Sequence, residues 1–133
     1  MIVLDASIVI KWLQEETDSE KARFFEFQHV SGEDVIAVPD LLYYEVANVL
    51  RYKSSLTEES GLAVMDILAG MELQVFNFSP VELKEVYSLA RRHNITVYDA
   101  LCVYLARQLH CAFVTADRKL YQHIKQYGWA TLL

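Results

Sequence analysis

Short, mostly apolar runs alternate along the chain with stretches of helical pattern, and that alternation limits the fold more than any other feature. The runs are Ile2-Val3-Leu4, Val35-Ile36-Ala37-Val38, Leu73-Gln74-Val75-Phe76 and Ala112-Phe113-Val114-Thr115, and Trp129 to Leu133 offers a short fifth. Runs so brief and so apolar suit strands buried on both faces. Strands that alternate with helices pair in parallel, because each helix is the crossover to the next strand. The expectation is an α/β fold with helices on both faces of a central parallel sheet of four to five strands. At 133 residues, 53% of them hydrophobic, the chain is long enough for one such domain over residues 1–133.

The helices announce themselves by their ends. Ser79-Pro80-Val81-Glu82 combines a cap, a proline at the first helical position and a reciprocal acid, and predicts a helix to about His93-Asn94. Thr17 and Glu20 have the same box spacing and predict a helix start that Gly32 later stops. Pro39 is expected to open a helix reaching Lys53, and Thr57 to cap one reaching Gly70. Further helices are expected from Ile8 to Gln14, from Tyr98 to Leu109 and from Arg118 to Gln126. The Tyr98 to Leu109 segment is apolar nearly all round, which implies burial on several sides.

Net charge is −6, and its distribution matters more than its sum. Residues 1–45 hold ten acids and three basic residues, whereas residues 86–133 hold six basic residues and only two acids, Asp99 and Asp117. A basic C-terminal third is either an ordinary solvated surface or a footprint for phosphates, with Lys11, Arg91, Arg92 and Arg118 as candidate contacts. Cys102 and Cys111 read as small core thiols, since no paired Cys motif supports zinc. No run nears the roughly 18 apolar residues of a membrane span, and the N-terminus lacks a signal-peptide pattern, so the expected setting is cytoplasmic.

Ligands of open α/β sheets gather at the carboxyl ends of strands. Asp5 closes the first strand and Asp117 follows the fourth; either serves equally as a turn residue or helix cap. Asp99 opens the buried helix, where the helix dipole also favours an acid. Glu45 is the most telling. On a helix each residue advances about 100°, which places Glu45 within a stripe of Leu41, Leu42, Val49 and Tyr52, with Asn48 one turn away to orient it. A lone carboxylate on an apolar face needs a partner, a hydrogen bond or a metal.

If the four acids converge, each pair about 5 Å apart repels by roughly 3 kcal/mol at an effective dielectric near 20. Protonation or a cation must relieve that strain. An all-oxygen set suits Mg²⁺ or Mn²⁺, and the matching chemistry is phosphodiester hydrolysis. The Ser7 and Thr115 hydroxyls are auxiliary candidates, for a metal-bound water or a phosphate. Ser7 is equally a plain cap, and Thr115 reads more readily as structural.

The segments Ile2-Val3-Leu4-Asp5-Ala6-Ser7, Pro39 to Leu50 around Glu45, Thr96-Val97-Tyr98-Asp99-Ala100 and Phe113-Val114-Thr115-Ala116-Asp117 resemble the PIN-domain family in order and spacing. The nearest likeness is to VapC-like toxins of toxin–antitoxin pairs. The resemblance covers essentially the whole chain. It implies a PIN-like three-layer α/β/α fold and an endoribonuclease dependent on Mg²⁺ or Mn²⁺, with Asp5, Glu45, Asp99 and Asp117 as both metal ligands and catalytic acids. It further implies an RNA substrate, a homodimer and a small antitoxin that blocks the cleft. Some members carry another acid two or three residues after the last aspartate; here those positions are Lys119 and Leu120.

Two other classes compete. A PIN-like module could hold RNA or a protein without cutting. A response-regulator receiver has similar length and alternation, but would want an acidic pair after the first strand and an acceptor Asp after the third, where this chain has Asp5-Ala6 and Asn77-Phe78-Ser79.

Overall fold

The computed structural model describes all residues, 1–133. Five strands form one sheet: β1 (Ile2–Leu4), β2 (Ile36–Pro39), β3 (Gln74–Phe76), β4 (Ala112–Thr115) and β5 (Ala130–Leu132). All neighbours pair in parallel, in the order β3-β2-β1-β4-β5. Seven helices connect them: α1 (Ala6–Leu13), α2 (Ser19–Val30), α3 (Leu41–Tyr52), α4 (Glu58–Gly70), α5 (Pro80–His93), α6 (Val97–Leu109) and α7 (Arg118–Ile124). The chain steps outward from β1 to β3, then returns through α5 and α6 to lay β4 on the other side of β1. The carboxyl ends of β1 and β4 are therefore the switch point of the sheet, where a cleft opens between diverging connections. A receiver domain has strand order 2-1-3-4-5. The placement of β1 between β2 and β4 excludes that fold.

The period of two along each strand divides the core in two. Ile2, Leu4, Ile36, Val38 and Val114 face a cluster with Ile8, Val9 and Trp12 of α1, Leu42, Val46 and Leu50 of α3, and Leu68 of α4. Val3, Ala37 and Phe113 face the opposite way, against Val86 and Leu89 of α5, Leu120 and Ile124 of α7, and α6. The result is three layers, α/β/α. Every residue of α6 from Ala100 to Ala106 is buried, as its all-round apolar sequence requires. Full burial of one large side chain such as Phe113 contributes about 1.5–3 kcal/mol.

At α5 both halves of the predicted box form. The Glu82 amide donates to the Ser79 hydroxyl at 3.3 Å and the Ser79 amide donates to the Glu82 carboxylate at 2.8 Å. Asn94, at φ 52°, ends the helix. Two expected starts differ. Thr17 does not cap α2: its carbonyl is taken by Lys11 Nζ at 2.7 Å, and Asp18 enters the helix at φ 64° with no side-chain cap bond. The Ser19 hydroxyl organises the turn instead, accepting from the Glu16 amide and donating to the Gln14 carbonyl. Pro39 ends β2 rather than opening α3, which begins at Leu41. A proline has no N–H for a ladder, and its place lies beyond Ala37, where the pairing of β1 with β2 stops. Finally, α7 ends at Ile124, short of Gln126.

Candidate active site

Asp5 leaves the end of β1 and caps α1, its carboxylate accepting from the Ser7 amide at 3.0 Å. Asp5, not Ser7, is thus the cap. The Ser7 hydroxyl donates to the same carboxylate oxygen, and the Thr115 hydroxyl donates to the other. Each hydroxyl also accepts a backbone amide from the β4 exit: Ala116 to Ser7 at 2.9 Å and Asp117 to Thr115 at 2.9 Å. Two small side chains therefore pin one carboxylate and lock the ends of β1 and β4 together. Thr115 is fully buried. Its hydroxyl serves the site rather than only the strand.

Asp117 begins α7 and accepts the Leu120 amide at 2.9 Å, leaving its other oxygen without an intramolecular donor. Asp99 lies in the first turn of α6, whose cap is Thr96. The Thr96 hydroxyl accepts the Asp99 amide at 3.0 Å and donates to the Asp99 carboxylate at 2.7 Å. Glu45 comes from the flank of α3. The buried face of that helix is Leu42, Val46 and Leu50, whereas Val49 and Tyr52 are exposed, so the sequence-predicted stripe is displaced and Glu45 lies at its edge. Apolar character alone counts Tyr52 as core although it stands 77% exposed.

These segments meet in one cavity of 160 Å³, lined by Asp5, Ser7, Glu45, Asp99 and Asp117, with Ala6, Tyr98 and Cys102 completing its wall. The field inside is visible in the proton affinities. Burial lifts the Asp5 carboxyl to about 6, even though its hydrogen bonds pull the other way. Burial lifts Glu45 to about 7, and the charges of Asp5 and Asp99 add to the effect. Burial and the charges of Asp5, Glu45 and Asp99 push the Cys102 thiol well above its usual range, so it stays protonated and is a poor metal ligand.

Asn48 is exposed and outside the cavity lining. Lys11 is held by the Thr17 carbonyl and by Glu16, and Arg91, Arg92 and Arg118 are exposed outside the lining. Three residues escaped the sequence reading as site residues. Thr96 carried a signal in its cap spacing to Asp99, and Cys102, three residues after Asp99, shares its helix face. Tyr98 gave none beyond adjacency. A larger cavity of 500 Å³ between α3 and α4, floored by Leu50, Leu56 and Met65, contains none of the four acids.

The donor set of the acid cavity is carboxylate and hydroxyl oxygen, with no histidine. No three His, Cys, Asp or Glu side chains are arranged as a closed ligand set. The oxygen-rich lining is the one of these facts that bears on the kind of metal, and it fits a hard cation such as Mg²⁺ rather than a zinc cage.

Fold and cavity together define a class: a three-layer α/β protein with an acidic, oxygen-lined cleft at the switch point of its parallel sheet. The family model for the PIN domain matches residues 2–125, and the chain belongs to that family. Ribonuclease VapC3 of Pyrobaculum aerophilum is 33% identical over 124 residues, covering 90% of this chain and 91% of that one. Two solved structures share the fold. Mycobacterium tuberculosis VapC20, described as a toxin that cleaves the sarcin-ricin loop, aligns with a TM-score of 0.71 at 13% identity over 97% of this chain and 96% of that one. VapBC2 of Rickettsia felis, bound to a DNA fragment from its promoter, aligns with a TM-score of 0.69 at 17% identity over 100% and 98%.

Proposed function

We propose that this chain is a divalent-metal-dependent endoribonuclease that hydrolyses RNA phosphodiester bonds, working as one domain over residues 1–133 and as the toxin of a toxin–antitoxin pair. The observation that carries the reading is the meeting of Asp5, Glu45, Asp99 and Asp117, from four separate segments, in one cavity. The likeness to a ribonuclease over nine-tenths of both chains supports the substrate class.

Asp5, Asp99, Asp117 and Glu45 are the residues that would hold Mg²⁺ or Mn²⁺. When bound, such an ion polarises a phosphoryl oxygen and makes a nearby water more acidic. The chain's own contribution is preorganisation. Ser7 and Thr115 fix the Asp5 carboxylate before substrate arrives, so no reorientation is needed during reaction. Glu45, whose proton affinity lies near neutrality in the metal-free protein, would give up that proton as a divalent ion binds beside it.

The reading carries partners with it: RNA, a second copy of the chain, and a small antitoxin, in a cytoplasmic setting. Tyr44, Val49 and Tyr52 leave apolar surface exposed on α3 for a second copy. The Rickettsia structure, one chain of which aligns with the whole of this one, is of VapBC2 bound to promoter DNA. No helix is long and apolar enough to cross a membrane.

The test is RNA cleavage with Mg²⁺ or Mn²⁺, with EDTA, and by Asp99→Asn protein. Cleavage only by the wild type with metal supports the reading. Equal cleavage in every condition refutes it, and none in any favours the non-cleaving binding module.

A further inference from the structure

A second cavity, of 440 Å³, shares Asp99 and Asp117 with the acid cavity and runs from them between α6 and α7. Its far wall carries Lys119 and His123, four residues apart on one face of α7, with Thr96 and Asn94 opposite. Lys119 is exposed and makes no ion pair with Asp99 or Asp117, the two carboxylates that line the same cavity. Its charge is open to a ligand. The positive surface continues beyond the cavity. Arg92, exposed near the end of α5, stands two residues before Asn94 of the cavity wall.

We propose that Lys119 and His123 form a phosphate subsite that grips the backbone of single-stranded RNA one step from the scissile bond, with the strand leading on toward Arg92. This deepens the ribonuclease reading and rests on it. An acidic cleft repels a polyanion, and a cation at its lip both offsets that repulsion and fixes the register of the strand. The cavity is lined by polar and charged groups and by few apolar ones, as a backbone subsite requires. A lysine binds phosphate as a point charge, so Arg substitutes for it here where Gln does not.

The experiment measures binding of a fluorescein-labelled single-stranded RNA 12-mer by anisotropy, across a range of KCl, in a Glu45→Gln background that leaves the second cavity untouched. Lys119→Gln is expected to weaken binding about tenfold and to lower the slope of log affinity against log salt by about 0.7, the value of one lost phosphate contact on a single strand. Lys119→Arg should restore both. His123→Gln should weaken binding without the full change in slope. In the wild-type background, Lys119→Gln should raise KM and largely spare kcat. An unchanged slope and KM in Lys119→Gln protein that melts normally overturns the subsite, whether or not the wild type cleaves. A changed slope in a chain that cleaves nothing leaves the subsite standing and removes the ribonuclease reading instead.

Discussion

Metal-free protein should lose stability as pH rises from 5 to 8, and replacing Glu45 by Gln should remove much of that loss. Asp5 is lifted from the ordinary 3.8 to about 6 and Glu45 from 4.5 to about 7. Between the unfolded and folded values the folded state holds protons that the unfolded chain has released, so stability falls with rising pH. The penalty is absent below about pH 4 and complete once pH passes the folded values. At about 1.4 kcal/mol per pH unit, the Asp5 penalty is about 3 kcal/mol in all, of which roughly half develops above pH 5. Glu45 is only half-buried, and halving its share for solvent screening leaves about 1–2 kcal/mol over the same range. Together they cost about 2–3 kcal/mol, or roughly 10 °C in Tm for a chain of this size. Other groups titrate in this window, so the decisive quantity is the Tm of Glu45→Gln minus that of wild type, read by circular dichroism in EDTA. It should be near zero at pH 5 and about 5 °C in favour of the variant at pH 8. Saturating Mn²⁺ at pH 8 should reverse the order, since a ligand at a hundred times its Kd adds about 2.7 kcal/mol to the protein that binds it. A variant no more stable than wild type at pH 8 in EDTA, or a gap that ignores pH, would refute the burial, and with it the added repulsion, that raise the Glu45 carboxyl.

Asp99→Asn should melt at or above the wild-type temperature without metal, because Asn retains an acceptor for Thr96, while RNA cleavage with Mg²⁺ disappears; a loss of several degrees would mark Asp99 as a cap only. Thr115→Val keeps the shape of the side chain but leaves Asp5 and the Asp117 amide each short of a partner, and should cost about 1–3 kcal/mol in urea denaturation at pH 7.5. Tyr98→Ala should raise KM for single-stranded RNA about tenfold with Tm unchanged, since this ring is 62% exposed at the cavity wall and placed to stack on a base. Ser79→Ala should lower stability by about 1 kcal/mol and leave cleavage untouched, because its cap lies on α5, away from the cleft.

The alternation of strand and helix was legible because apolar periodicity survives without tertiary context: β1, β4, β5, α5 and α6 lie where the pattern places them. The convergence of the four acids in one cavity was legible for a related reason, since three stand at element ends, where the sheet topology collects side chains. The roles of Ser7 and Thr115 were not. A hydroxyl two residues from an aspartate reads locally as a cap or a turn, and only the pairing of β1 with β4 brings residues 108 apart to one carboxylate. The α3 stripe was misplaced because hydrophobicity cannot tell a buried Val46 from an exposed Tyr52. Thr17 is not the cap because the helix starts one residue later, from Asp18, which enters it in the left-handed region.

The clasp of Asp5 by Thr115 also has a consequence for the timing of biosynthesis. Residue 5 leaves the ribosome well before residue 115, so over the stretch of translation between them the first carboxylate waits without the strand that steadies it. Chains cut short before β4 would carry Asp5, Glu45 and Asp99 yet lack both Asp117 and the hydroxyl that steadies Asp5.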